Sequence, residues 1–380
     1  MKRNCLLCAV LFALVLTACT SSPPTSSPAP EASSPPEESL EMSPETSPET
    51  LDAAELPELF RSLDPAQAVL TLEDLDAPPE RYPADAARAR QYLEDLETFT
   101  WEACPNQEDL SPGYCRRLEA PGVTLVSFGG DRCLYAAADD REGWFTLTTI
   151  ENRQWSWMIE DVFTRWYQDA QTAALFRGEG TPLTAEELNE FEAYTASTDE
   201  AGVRPISCFF TSRYNDPRDL DAGEFLYYCP DKGCLGPEDE AEFQLVQEKL
   251  DWRSGEDGHL FSVTELPVPC HRLPRAHIDE ILTQYAGITL ADMHTDWREE
   301  AFYIPETDCF YSFASDFGPG SFEVRYGERQ GDTVTLWETV YEGFTDKLTL
   351  RRQGDGWQVL SHQAAAVPGG TEENPAPEHP

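Results

Sequence analysis

Between residues 155 and 170, Trp155, Met158, Ile159, Val162, Phe163, Trp166, Tyr167 and Ala170 recur at the spacing of one broad helical face. A helix with so wide an apolar stripe has to bury it against another layer. That layer is readable just upstream. Residues 123–128, 133–136 and 144–148 are short runs rich in β-branched and aromatic side chains. Gly129-Gly130-Asp131 and residues 139–143 punctuate them, the pattern of a small antiparallel meander. A helix laid on a meander is an α+β arrangement, and α+β is the fold class the sequence predicts.

The same logic extends along the chain. Residues 51–75 are weakly patterned and leave room for one short helix. Pro83 suits a first helical position, with Ala86, Ala89, Leu93 and Leu96 on one face. Thr184-Ala185-Glu186-Glu187 is a capping box that opens a helix through about Tyr194. Residues 195–203 are polar and turn-rich, which puts a domain boundary near residue 200. The expected domains are therefore 57–200 and 201–366, followed by a polar tail at 367–380. Beyond the boundary, Phe209-Phe210 and residues 225–228 read as short buried pieces, and residues 238–250 as a helix. Pro274 opens a helix carrying Ile278, Ile281, Leu282 and Tyr285 on one stripe, with Gly287 as its C-cap. Strands follow at 309–313, 322–326, 334–336, 348–350 and 357–359, with turns at 329–332 and 353–356 between the later ones. A helix followed by a meander of four or five strands allows a cystatin-like or NTF2-like second domain, by analogy of element order alone.

The first 56 residues have a different character. Lys2 and Arg3 precede an apolar run from Cys5 to Leu16. That run is shorter than the roughly 20 apolar residues a spanning helix needs, so it reads as a processed signal. Residues 20–56 are Ser, Pro, Thr, Glu and Ala without Lys or Arg, too poor in apolar groups to offset their ordering entropy. In polyproline II form such a tether reaches on the order of 100 Å. The junction itself, Leu16-Thr17-Ala18-Cys19, resembles the lipobox of bacterial lipoproteins. The resemblance implies removal of residues 1–18, acylation of the Cys19 thiol, and a protein held by its lipid at the extracytoplasmic face of the cell membrane. A multiply acylated cysteine holds a soluble domain where a single chain would not. Residues 203–362 are also similar to uncharacterised surface lipoproteins of anaerobic Gram-positive bacteria, through residues 273–282, 285–290 and 303–308. That resemblance implies class and location, and no chemistry.

Charge narrows the partners. Seventy Asp and Glu against 27 Lys and Arg give a formal charge of −43, which repels nucleic acid and anionic headgroups. The partners left are the membrane, reached through the lipid, and an unknown protein or glycan ligand. No calcium loop is expected: in the nearest match, residues 251–265 with Gly258, Arg253 occupies the first ligand position. Beyond Cys5, Cys8 and Cys19 there are eight cysteines, and an even number in an exported domain suggests disulfides. Cys104 with Cys115 and Cys229 with Cys234 are the short-range candidates. A zinc site from Cys229, Cys234, Cys270 and His271 competes, although it lacks a second matching knuckle.

Chemistry leaves no linear signature. The sequence holds no nucleophile elbow, Walker loop, dinucleotide-binding glycine motif or His-Glu-x-x-His. His277, Asp279 and Glu280 fall in one helix at spacings that do not share a face. No catalytic, cofactor-binding or metal residue is assigned. The expected function is a noncatalytic surface-binding module, with Trp144, Trp252, Trp297 and Trp337 as candidates for an exposed aromatic cluster. The alternative is an extracytoplasmic hydrolase whose paired carboxylates meet only in the fold.

Overall fold

Eight short strands of the first half form one twisted sheet, and the long aromatic helix lies against it. The computed structural model describes residues 49–74, 77–105, 114–128, 133–147, 158–230, 233–250, 261–266, 268–295, 297, 302–313 and 320–368. The signal, Cys19, most of the tether, Trp155, Trp252, the Gly129–Asp131 turn, most of the 251–265 loop and the tail lie outside these residues. Helices and mostly antiparallel strands both contribute heavily, so the fold is α+β.

The chain enters with β1 (Glu49–Thr50), α1 (Leu56–Ser62), β2 (Val69–Asp74) and β3 (Ala77–Pro83). It continues through α2 (Ala89–Thr98), β4 (Trp101–Ala103), β5 (Tyr114–Ala120), β6 (Val123–Phe128), β7 (Cys133–Ala138) and β8 (Arg141–Leu147) to α3 (Met158–Phe176). The sheet order is β1-β8-β7-β6-β5-β2-β3, with β4 also paired to β8. Leu70, Leu118, Leu125, Leu134 and Phe145 point from the strands into a core shared with Phe60, Leu93, Phe163 and Trp166. The meander is as expected at β6 to β8, and α3 buries the expected stripe.

One reading of this half needs correction. Pro83 does not start a helix; it ends β3, and α2 begins at Ala89. The reason is positional: β3 is the outer strand of the sheet, where prolines at 78, 79 and 83 need not supply ladder N–H groups. β2, β3 and β5 were also not legible. β5 reads Tyr-Cys-Arg-Arg-Leu-Glu-Ala, and its two arginines hide the alternation although Arg116 is 5 % exposed.

The second half opens with β9 (Thr181–Pro182) and α4 (Ala185–Thr195), started by the Thr184 capping box. Then come a small hairpin, β10 (Thr198–Asp199) and β11 (Gly202–Val203), then α5 (Ala222–Tyr228), β12 (Gly233–Cys234), α6 (Glu240–Lys249) and β13 (His271–Pro274). α7 (Arg275–Ala286) ends at Gly287, whose φ of 70° is the left-handed cap expected of it. β14 (Phe302–Ile304), β15 (Cys309–Ser312), β16 (Tyr326–Gln330), β17 (Thr333–Trp337), β18 (Phe344–Gln353) and β19 (Gly356–Ala366) complete the chain.

These strands divide between two sheets, β12-β13-β15-β14 and β19-β18-β17-β16-β9. The Cys309 strand, expected in the terminal meander, therefore belongs to the other sheet. Its partner β13 immediately precedes α7, and four residue pairs from His271↔Ser312 to Pro274↔Cys309 hold it there. α7 packs on β19, and the largest core of this half joins Ile278, Leu282, Phe209, Phe225, Leu336, Leu348 and Val359. Leu183, Leu188 and Phe191 belong to this second core, so α4 joins it although the sequence places α4 ahead of the boundary near residue 200. Among the described residues, no helix is long and apolar enough to cross a membrane.

Candidate functional site

α3 carries one residue that its apolar stripe does not explain. Asp169 lies on the buried face, one turn beyond Trp166, and is 1 % exposed. It borders a cavity of about 410 Å³ lined by Asp85 to Ala87, the end of α3, Pro182 to Ala185 at the start of α4, and Arg325 with Tyr326. α3 contributes through its last two turns, α4 through its first, and β16 through its first residue, so side chains of different segments converge there.

The geometry around Asp169 is ionic. Tyr92 donates its hydroxyl to Oδ2 at 2.7 Å. Arg88 Nε lies 3.7 Å from Oδ2, and Arg325 Nη1 lies 3.9 Å from Oδ1. Burial pushes the Asp169 carboxyl up to about 6, opposed by Arg88, Arg325 and the Tyr92 bond. Oδ1 accepts no hydrogen bond and has essentially no accessible surface. Both arginines are also engaged elsewhere. Arg88 donates to Glu192 at 2.6 Å and to the Val324 carbonyl at 2.5 Å. Arg325 donates to Glu323 at 2.6 Å and to Thr339 at 3.1 Å. Further along β16, Glu328 accepts from the amides of Gly178 and Gly180, at 2.6 and 3.1 Å, and from Tyr326 at 2.6 Å. Its carboxylate thereby fixes the turn from α3 into β9.

A half-buried carboxyl stands just past the end of β17. Glu338 accepts from the Glu323 amide at 2.6 Å, and burial raises it to about 8, aided by Asp346 and Glu323 and opposed by that amide bond and Arg325. Asp346 is clamped by Arg213, with Nε at 2.7 Å and Nη2 at 3.1 Å. His362, pushed down by burial, contacts the Ser212 carbonyl at 2.7 Å.

The aromatic candidates separate. Trp297 is buried among Tyr303 and Phe310, and Trp337 against Tyr326 and Phe176. Trp144 alone of the described three stands half-buried. It faces away from the core on β8, with Phe128 and Tyr135 both at 5.3 Å between ring centroids. Tyr135 donates to Glu142 beside them, and Arg117 pairs with Glu73 at 2.8 Å on the same face of the sheet. In the α7 triad, His277 lies 3.8 Å from Glu280, while Asp279 turns to Arg275 at 3.1 Å and to the Leu290 amide at 2.8 Å.

Among the described residues, no two cysteine sulfurs stand at bonding distance in this structure. Cys104 and Cys115 are not brought together: β6, β7 and β8 lie between β5, which holds Cys115, and the end of β4. Cys115 instead donates to Glu73 at 3.3 Å, and burial with that contact lifts its thiol to about 11. Cys229 is buried after α5, whereas Cys234 is exposed and lies 3.5 Å from His271 Nδ1. Burial raises Cys270 to about 12. Among the described residues, no three His, Cys, Asp or Glu side chains gather to hold a metal.

Sequence reasoning missed Asp169, Arg88, Arg325 and Glu338. Only Asp169 left a signal: a carboxylate at a buried position of an otherwise apolar face. Comparison with protein-family models, with curated proteins and with solved structures returned no match.

Proposed function

We propose that the chain is a lipid-anchored extracytoplasmic protein whose folded part works as a noncatalytic binding module. What carries this reading is the way Asp169 is used. A catalytic carboxylate needs an oxygen that reaches a substrate proton or carbon. Asp169 borders the cavity, yet Oδ1 is sealed and Oδ2 is taken by Tyr92 between two guanidinium groups. Such a cluster positions segments rather than bonds to a ligand. The outward-facing cluster of Trp144, Phe128 and Tyr135 supplies the kind of surface a binding module uses. The anchor rests on Leu16-Thr17-Ala18-Cys19 and on the Ser- and Pro-rich stretch after it.

The hydrolase reading keeps one supporting observation, a raised Glu338 carboxyl beside an Asp346 paired to Arg213. The two readings part on one assay. Purified protein is incubated with peptide, peptidoglycan and polysaccharide substrates, and the products are quantified. No turnover is expected; hydrolysis that disappears in Glu338→Gln would establish the alternative. For the anchor, Cys19→Ser is expected to move the protein from the membrane fraction to the medium. Unchanged membrane association of that variant refutes lipidation.

A further inference from the structure

We propose that Cys104 and Cys133 form a disulfide that ties the chain leaving β4 to the first residue of β7, across the outer face of the first sheet. The two sulfurs stand 3.6 Å apart, already in van der Waals contact. The ladder explains why. β4 and β7 flank β8, and the Cys104 amide donates to the Trp144 carbonyl at 2.9 Å while Cys133 stands opposite Thr146. Strand alternation then places both thiols on the face that carries Trp144, so they approach each other over β8. Bond formation closes the gap to about 2.05 Å.

The remaining thiols compete poorly. Cys115, Cys208, Cys229, Cys270 and Cys309 are buried, and Cys234 is the one exposed thiol among the described residues. Cys104 and Cys133 are both half-buried, which leaves them open to an oxidant and to each other. The oxidant is a disulfide, either a low-molecular-weight one or that of a thiol–disulfide exchange protein. One cysteine thiolate attacks it, forming a mixed disulfide and expelling one thiol that takes up a proton. The second cysteine thiolate attacks the mixed disulfide and expels the other thiol. Two protons and two electrons leave the protein, one S–S bond forms in it, and one S–S bond is reduced in the oxidant. In the cell this rests on the proposed export, since an oxidising compartment must supply the disulfide.

The full chain is equilibrated with excess oxidised glutathione, remaining thiols are alkylated, and the tryptic peptides are mapped by mass spectrometry without reduction. A peptide pair joining Cys104 to Cys133, lighter by two hydrogens than the separate peptides, is expected, with Cys115 alkylated only after unfolding. Cys115→Ser should leave that pair unchanged, and Cys133→Ser should leave Cys104 alkylated or as a glutathione adduct. Alkylation of both Cys104 and Cys133 in the oxidised wild-type chain, or a link from either to another cysteine, overturns the proposal. Because the oxidant is added to purified protein, the result is independent of location. The cross-link formed in this way, with Cys19→Ser still bound to membranes, would leave the disulfide standing and the anchor refuted.

Discussion

Asp169 is sealed from water and Glu338 is half-buried, and the protein deals with them in opposite ways. Asp169 sits two turns before α3 ends, between Arg88 and Arg325, and rises only to about 6. Glu338 has a backbone amide and a more distant Arg325 set against Asp346 and Glu323, and it rises to about 8. The first is held largely by neighbouring charge, the second by keeping its proton. Desolvation penalises both anions, so the supply of guanidinium decides which solution is used. Arg88 also donates to Glu192 and to the Val324 carbonyl, so the ionic solution links the first half of the chain to α4 and to the segment just before β16.

The comparison is most sharply broken by Arg88→Met. It leaves Asp169 with one guanidinium and should lower unfolding free energy by about 3–5 kcal/mol, read by urea denaturation at pH 7. A loss below about 1 kcal/mol would mean that Arg325 alone suffices. Glu338→Gln tests the other side. A folded-state value of about 8, against an ordinary 4.5, means the native state binds more protons between these pH values. Stability carried by this group is therefore full below about pH 4.5 and lost as pH rises through 8. The amide variant should match wild type near pH 5 and exceed it at pH 9 by up to on the order of 3 kcal/mol. An unchanged slope in denaturation midpoints from pH 5 to 9 would contradict the protonated carboxyl. Asp169 follows the same sign over the lower window, from 3.8 to about 6. Tyr92→Phe should be the smallest change, about 1.5 kcal/mol, because it removes one hydrogen bond and leaves both arginines. A cost as large as that of Arg88→Met would show that the hydroxyl, not the guanidinium pair, holds the carboxylate.

Elements with a single strong period were legible before any coordinates. The α3 stripe, the Thr184 capping box, the Gly287 cap and the β6–β8 meander all follow from local spacing, and each depends on neighbours close in sequence. What stayed hidden depends on distant partners. β5 owes its place to β2 and β6, while its own Arg116 and Arg117 disguise it. Cys309 starts a strand that could join either sheet until β13 claims it. The Asp169 cluster draws on residues 88, 92, 169 and 325, whose separations no linear pattern encodes. Cysteine proximity is hidden for the same reason. Nearness in sequence suggests Cys115 for Cys104, whereas strand order sets β6, β7 and β8 between them and brings the Cys133 sulfur within 3.6 Å of Cys104.

The prolines at 78, 79 and 83 do more than end a strand. Edge strands with free N–H groups recruit one another, and proteins crowded onto a surface meet edge to edge far more often than in dilute solution. β3 closes one side of the eight-stranded sheet with three of its seven residues unable to donate. Copies that meet at that edge find little there on which to zip a continuous ribbon, so crowding need not end in aggregation from it.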